Sequence, residues 1–317
     1  MDIPIIDRLD IEKAPKGEIS RYWVHLISDG FGIGVNVPIF VARGVEDGPV
    51  LGVTAAVHGD ELNGIPAIQR LFGELDAKEL RGTVVGVPVV NVVSFTRKQR
   101  RFNDGTDLNH IMPGRIDGTV SQVYAYRVFH RIIHQFEYLL DLHTASLGRV
   151  NSYYVRADMS EPITRKMAEL QNAQIVVDNP PSDGTLRGAA AEIGIHAITL
   201  EVGNPNRFQK KMIRSGLIGI HNVLVYLKMT DDEIEVPETP TVYCKDSAWI
   251  YTDTGGLLSV IPDVTQKVQA GELIATIRNV FGDIRKNYYA PNDGIVIGKS
   301  VSPVNQTGGR ILHLGRL

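Results

Sequence analysis

From about residue 50 the chain alternates short, nearly unbroken apolar runs with segments whose apolar residues return at helical spacing. Val50–Val57, Thr83–Val90, Tyr138–Leu142, Ile175–Val177 and His196–Val202 have the length and continuity of buried strands. Between them Leu62, Ile65, Ile68, Leu71 and Phe72 mark one face of a helix, as do Val120, Val123, Tyr124, Val128, Ile132 and Phe136 further on. Ile163, Met167 and Leu170 mark another, and Phe208, Met212, Gly219, Ile220, Val223, Leu224 and Leu227 a long last one. Strands that are apolar on both sides, separated by amphipathic helices, predict an α/β fold with a mostly parallel sheet covered on both faces. Residues 19–42 lean towards β structure and predict a leading hairpin.

After the last helix the pattern changes. Residues 229–242, with Asp231, Asp232, Glu233, Pro237 and Pro240, read as an acidic linker. Beyond it, short alternating runs are broken by Gly255-Gly256, by Pro291-Asn292-Asp293-Gly294 and by Gly308-Gly309. That is the pattern of a small all-β domain. The expected division is a catalytic domain over 1–235 and a C-terminal β domain over 236–317, which suits a chain of 317 residues.

Composition narrows the function. A formal charge of −3 gives no attraction to nucleic acid or to an acidic membrane. The cluster Arg97-Lys98-Gln99-Arg100-Arg101 is a short basic stretch in a polar loop, of the kind that serves as a solvated face or a substrate contact. Cys244 is the single cysteine, so an intrachain disulfide and a thiolate metal site are both excluded. The N-terminus lacks the basic and apolar segments of a signal peptide, and no apolar run reaches membrane-spanning length. These observations predict a cytoplasmic protein with no nucleic-acid and no membrane partner, and they are compatible with a homo-oligomer.

Three separated segments carry candidate chemistry: His58-Gly59-Asp60-Glu61, Asp141-Leu142-His143 and Leu200-Glu201-Val202-Gly203. His58, His143 and Glu201 each fall at the end of an apolar run, and open parallel sheets present their ligands at the carboxyl ends of strands. A hydrolytic zinc site takes three protein ligands of the His, Asp and Glu types and leaves a position for water. Taken singly, each segment also has a plain reading: a hydrogen-bonded buried histidine, a carboxylate at a helix start, an ion pair at a strand end. A carboxylate at Glu201 is costly to bury unless paired, hydrogen-bonded or protonated. Asp141, two residues before His143, would point to the same side of its strand and could orient that ring.

In combination these segments, with Arg101, Asp104 and Asp107-Leu108-Asn109, resemble the succinylglutamate desuccinylase/aspartoacylase family, a deacylating branch of the zinc carboxypeptidase-like hydrolases. The likeness runs from about residue 45 to the C-terminus. It implies a three-layer zinc-peptidase-like domain followed by a barrel-sandwich domain of the biotinyl/lipoyl type. It further implies one Zn²⁺ per subunit held by His58, Glu61 and His143, with Glu201 as general base. Arg101 would polarise the scissile carbonyl, and a shift of one residue in the alignment would give that role to Arg100. Asn109 would belong to the substrate pocket.

One departure stands out. Where the family reads Asp-Leu-Asn-Arg, this chain reads Asp107-Leu108-Asn109-His110. A histidine is shorter and only partly charged near neutral pH, so the carboxylate grip is expected to be weaker at His110 or to have moved to Arg187. In the C-terminal domain the hairpin tip Asn279-Val280-Phe281-Gly282-Asp283 lacks the modifiable lysine of a carrier, which predicts a lid or rim for the active site. The leading expectation is a zinc-dependent hydrolase that cleaves the amide of a small N-acyl substrate. A peptide-cleaving metallocarboxypeptidase and a non-catalytic metal- or metabolite-binding protein are the alternatives.

Overall fold

The computed structural model describes residues 3–182 and 184–317. Its centre is a ten-stranded sheet. The middle of the sheet is Arg81–Val87, Glu46–Ala55, Tyr138–His143 and His196–Val202, side by side and parallel. These are the apolar runs of the sequence, and Leu51, Val53, Leu140, Leu142, Ile198 and Leu200 are almost fully buried in them. Each such side chain contributes about 1.5–3 kcal/mol by leaving water, which explains why both faces of these strands read apolar.

Helices cover the two faces in two separate layers. On one side Ala67, Ile68 and Leu71 of Gly64–Glu74, Met167 of Pro162–Glu169 and Ile213, Ile220 and Leu224 of Lys210–Tyr226 close one core. On the other, Tyr124, Val128 and Phe129 of Val120–Arg131 join Leu186 and Ala190 of Leu186–Glu192 in a second core. The domain is therefore the expected α/β/α sandwich. The helix from Val120 stops at Arg131, short of Phe136, because the chain tightens into a 3-10 turn, Ile133–Gln135. That turn lets the Gln135 amide oxygen accept the Ile11 N–H at 3.2 Å.

The predicted leading hairpin is present as Glu18–Ser28 paired antiparallel with Gly34–Arg43. Two strands carried no clear sequence signal. Tyr153–Ala157 enters the sheet antiparallel beside His196–Val202, and Arg149–Asn151 leaves the sheet altogether. Among the described residues no helix is long and apolar enough to cross a membrane.

The C-terminal part is two small, largely antiparallel sheets packed face to face around Ile274, Ile277, Val296, Ile311, Leu312 and Leu314. Two connections bind it to the main domain. Val242–Cys244, beyond the expected boundary at 235/236, pairs parallel with Ile175–Asp178 and extends the large sheet. A proposed division therefore falls nearer residue 245. In the other direction, Arg149–Asn151 pairs antiparallel with Gly294–Ser300. The backbones meet closely there: a Cβ on Gly298 would lie 2.2 Å from Asn151 Oδ1.

Candidate metal centre and active site

The strand Glu46–Ala55 ends in a sharp turn. Ala56 takes a left-handed φ of 52°, a conformation that costs a non-glycine residue about 1 kcal/mol or more. Its carbonyl is fixed by the Asn91 N–H at 3.0 Å. Gly59 then passes against the backbone of Ser94 and Phe95, where a Cβ would come within 2.1 Å of Ser94 C. No larger residue fits without moving that helix, so the loop holds His58 and Glu61 against the sheet. Asn63 secures its far side by donating to Val202 O at 2.7 Å.

His58, Glu61 and His143 converge, all buried, with one donor atom of each within 4.8 Å of the others. The orientation of the rings is informative. His58 Nδ1 lies 2.9 Å from Glu61 Oε1, and His143 Nδ1 lies 3.0 Å from Glu61 Oε2. The opposite nitrogens face carboxylates: His58 Nε2 is 2.9 Å from Asp107 Oδ1, and His143 Nε2 is 2.8 Å from Asp141 Oδ2. Each Nε2 thus faces an acceptor that would keep a proton there and free Nδ1 to turn a lone pair towards a shared cation, the arrangement metal-binding histidines adopt. Asp141 in turn accepts from Thr54 Oγ1 at 2.6 Å.

The electrostatics agree. Burial works against ionising Glu61, yet His58 and His143 hold its carboxyl well below the usual range. Burial likewise works against charge on His58 and His143, and Glu61 with Asp107 or Asp141 raises both. Three carboxylates thus surround two rings in a desolvated spot, a donor set that demands positive charge. Nitrogen and oxygen donors without sulfur fit a zinc-type cation.

Glu201 stands next to this group. Its strand runs parallel to that of His143 with the two residues in register. Asn151 Nδ2 donates to Glu201 Oε2 at 3.2 Å, and the Arg156 guanidinium lies 3.1 Å from Oε1. Arg100 closes the opposite side: its Nη1 donates to Glu61 Oε1 at 2.8 Å and to Ser146 Oγ at 3.0 Å, and its Nε donates to Asp107 at 3.0 Å. Arg101 is a correction to the sequence reading. Its guanidinium turns away and donates to Gly105 O at the exposed surface, because the turn around Ser94–Arg101 directs the preceding side chain inward.

The cavity above the triad has a volume of about 350 Å³ and is lined by His58, Glu61, His143, Glu201, Arg100, Asn109, His110 and Arg187 among others. Asn109 uses its side-chain oxygen to accept the Leu186 N–H at 2.7 Å, which leaves its amide N–H groups for the cavity. His110 sits at the rim with its side chain 70% exposed. Arg187 is buried, and both of its hydrogen bonds, at 2.6 Å, go to Asn179 rather than to a carboxylate. Burial and nearby Arg156 push its pKa down to about 10.

Sequence reasoning missed Arg156, which lies in Tyr153–Ala157, a strand without a clear signal of its own. It also missed Arg149, Trp249 and Arg310, the last two supplied by the C-terminal domain. No local pattern points to these three. The C-terminal part does form a rim, through Trp249 and Arg310 instead of the hairpin tip at 279–283.

Fold and donor set together define a metal-dependent hydrolase with its centre at the carboxyl ends of parallel strands. Residues 47–227 match the succinylglutamate desuccinylase/aspartoacylase catalytic domain, and the chain belongs to that family of deacylating amidohydrolases. It is 25% identical over 278 residues to the N-alpha-acetyl-L-2,4-diaminobutyric acid deacetylase of Halomonas elongata, spanning 84% of this chain and 81% of that protein. Two solved structures share the fold. The product-bound ectoine utilization protein EutE (DoeB) from Ruegeria pomeroyi superposes with a TM-score of 0.86 at 22% identity, covering 96% of this chain and 98% of that one. A succinylglutamate desuccinylase/aspartoacylase from Rhodobacter sphaeroides gives 0.84 at 23% identity, with the same coverage.

Proposed function

We propose that this chain is a zinc-dependent deacylase that hydrolyses the amide between a small acyl group and the amino group of an amino acid. The observation that carries the reading is the paired orientation of His58 and His143, each with Nδ1 towards Glu61 and Nε2 anchored on its own aspartate. Among the described residues this is the single group of three or more such donors, which supports one ion per subunit.

When bound, a zinc ion brings the pKa of a coordinated water down towards about 7 and draws electron density from a carbonyl oxygen. The protein's own groups do the rest. A carboxylate oxygen of Glu201, steadied by Asn151 and Arg156, takes the proton of the attacking water and hands it to the departing nitrogen. Arg100 swings a donor from Glu61 and Ser146 to the carbonyl oxygen, where its fixed charge offsets the negative charge that develops. Arg187, buried without a carboxylate partner among the described residues, grips the carboxylate of the amino acid; Asn109 and His110 border the same space. An unpaired buried cation is costly, and a ligand carboxylate would remove that cost. A cytoplasmic setting is part of the proposal and is supported by the lone, buried Cys244 thiol.

The test is hydrolysis by zinc-loaded protein of a panel of acetyl-, formyl- and succinyl-amino acids. The panel includes Nα-acetyl-L-2,4-diaminobutyrate, the compound in the name of the Halomonas relative. Release of free amine that stops on chelation and returns with zinc is expected. Full activity in metal-stripped protein would overturn the metal role, and cleavage of peptides in preference to every N-acyl amino acid would overturn the deacylase reading.

A further inference from the structure

A groove of about 490 Å³ lies between the start of the helix Lys210–Tyr226 and the segment 235–239, which leads into the C-terminal part. Among the described residues it shares none with the catalytic cavity. Its size is that of a small-molecule site, for which about 300–1,000 Å³ is usual. Lys211 and Arg214, nearly one turn apart, line it on the helix, and Glu235 and Glu238 line it on the segment. All four residues are exposed, and among the described residues none of their charged groups has a hydrogen-bond or ion-pair partner. Charges of both signs that border one groove without neutralising each other favour a molecule that carries both. Between them the walls are apolar, with Met212 and Ile218 on the helix and Val236 on the segment. Tyr153 also lines the groove; its hydroxyl is buried and has no partner, which is costly unless something fills the need.

The segment is a strap tied at both ends. Asn172 and Asn222 donate to Glu235 O at 2.6 and 2.9 Å, and the Glu235 N–H donates to Asn222 Oδ1 at 2.8 Å. At the other end Thr241 Oγ1 donates to Ala173 O at 2.8 Å. Between these ties residues 236–240 make no hydrogen bond among the described residues. The strap can therefore settle on a ligand without breaking any bond of the fold.

The groove also borders the frame of the proposed base. A Cβ on Gly203 would lie 2.9 Å from Met212 Cγ, so the helix start presses on the chain two residues beyond Glu201. Gln209, just before the helix, accepts the Asn204 N–H at 2.6 Å, and its own N–H donates to Asn63 Oδ1 at 2.9 Å. On the floor, Tyr153 stands two residues from Asn151, whose amide donates to Glu201.

We propose that this groove is a regulatory site for a free α-amino acid with an apolar side chain, held between Lys211 and Arg214 on the helix and Glu235 and Glu238 on the strap, and that its occupancy acts on Glu201 through Met212 and Gly203. The carboxylate meets the two cations, the ammonium meets the two acids, and the side chain lies along Met212, Ile218 and Val236. The amino acid freed by the proposed hydrolysis belongs to this class of compound, and the regulatory part of the inference rests on the deacylase reading.

Calorimetric titration of the zinc-loaded full chain tests the site with L-leucine, with leucinamide, whose carboxylate is blocked, and with 4-methylpentanoate, which has no amine. L-leucine should bind saturably and about tenfold or more tightly than either analogue. Arg214→Gln and Glu238→Gln alter exposed side chains that support nothing else in the fold, and each should weaken L-leucine about fivefold. Arg187→Gln, in the catalytic cavity, should leave that binding as it is. Three results would each overturn the site: no saturable binding, equal affinity for the three compounds, or binding that is lost in Arg187→Gln and kept in the groove variants. Kinetics test the link to the base. Saturating L-leucine should change kcat for N-acetyl-alanine about fivefold or more in the parent, and the change should vanish in the Arg214→Gln/Glu238→Gln double variant. Groove-dependent binding with an unchanged kcat overturns the regulation. Groove-dependent binding with no hydrolysis of any N-acyl amino acid overturns the deacylase reading and leaves the site.

Discussion

Replacing Asp141 by asparagine tests the proposed metal centre through a residue that touches neither metal nor substrate. Asp141 is fully buried; it accepts from His143 Nε2 at 2.8 Å and from Thr54 Oγ1 at 2.6 Å. Asparagine has the same shape, and its amide oxygen can still face His143 while its NH2 turns towards Thr54. What disappears is the charge. A hydrogen bond to a charged group is worth about 1–1.5 kcal/mol more than one between neutral groups, which corresponds to about tenfold in affinity. That value is at the lower end of the tenfold to hundredfold range for partners of metal-bound histidines. The assay is a zinc dissociation constant by competition with a chromophoric chelator, run beside circular dichroism to show an intact fold. Thr54→Val, which removes only the hydroxyl that steadies Asp141, should weaken zinc by a smaller factor in the same direction. A dissociation constant for Asp141→Asn within twofold of the parent would refute the argument that the charge of this carboxylate strengthens His143 as a metal ligand.

Three further outcomes are expected. Glu201→Gln keeps zinc bound but lowers kcat by about 10²–10⁴-fold; turnover near the parent level, measured as amine release, would remove Glu201 from the role of base. Arg100→Ala lowers kcat by about 10²–10³-fold while Arg101→Ala changes it less than about threefold, and the opposite ranking would restore the sequence-based choice. His313 is the pH-sensitive point of the fold, since burial, with Arg156 and Arg310, pushes its pKa down to about 3 from an ordinary 6.5. The unfolded chain therefore binds a proton that the folded one refuses between those values. Stability is complete above pH 6.5 and falls below it by about 1.4 kcal/mol per pH unit until about pH 3. Urea midpoints measured from pH 7 to 4.5 should drop less steeply in His313→Phe, and parallel slopes would contradict the assignment.

Three of the residues that were legible in the sequence share one property: each ends an apolar run that fixed its place. His58 and His143 follow apolar strands, Glu201 lies at the end of another, and strand ends are where an open parallel sheet gathers its ligands. Arg100 and Arg101 lie in a turn with no period, so nothing local decides which of them faces inward. The decision comes from Ser94 Oγ, which donates to Arg101 O at 2.8 Å and sets the turn. The helix Leu186–Glu192 was hidden because Gly188 and three alanines give neither amphipathic contrast nor length. Trp249 and Arg310 were beyond reach for another reason: they arrive at the cavity only after the C-terminal domain docks, which is a pairing over long range.

That docking has a cost for any partly assembled molecule. Asn151 offers its backbone to Gly298 and its side-chain amide to Glu201. The same residue therefore closes the joint between the two bodies and steadies the carboxylate proposed as the base. A nascent chain whose C-terminal domain has not yet seated would leave that side chain without its brace and the cavity one wall short. The cavity is complete only once the C-terminal domain has joined the main sheet, as a lock is idle until its last pin is home.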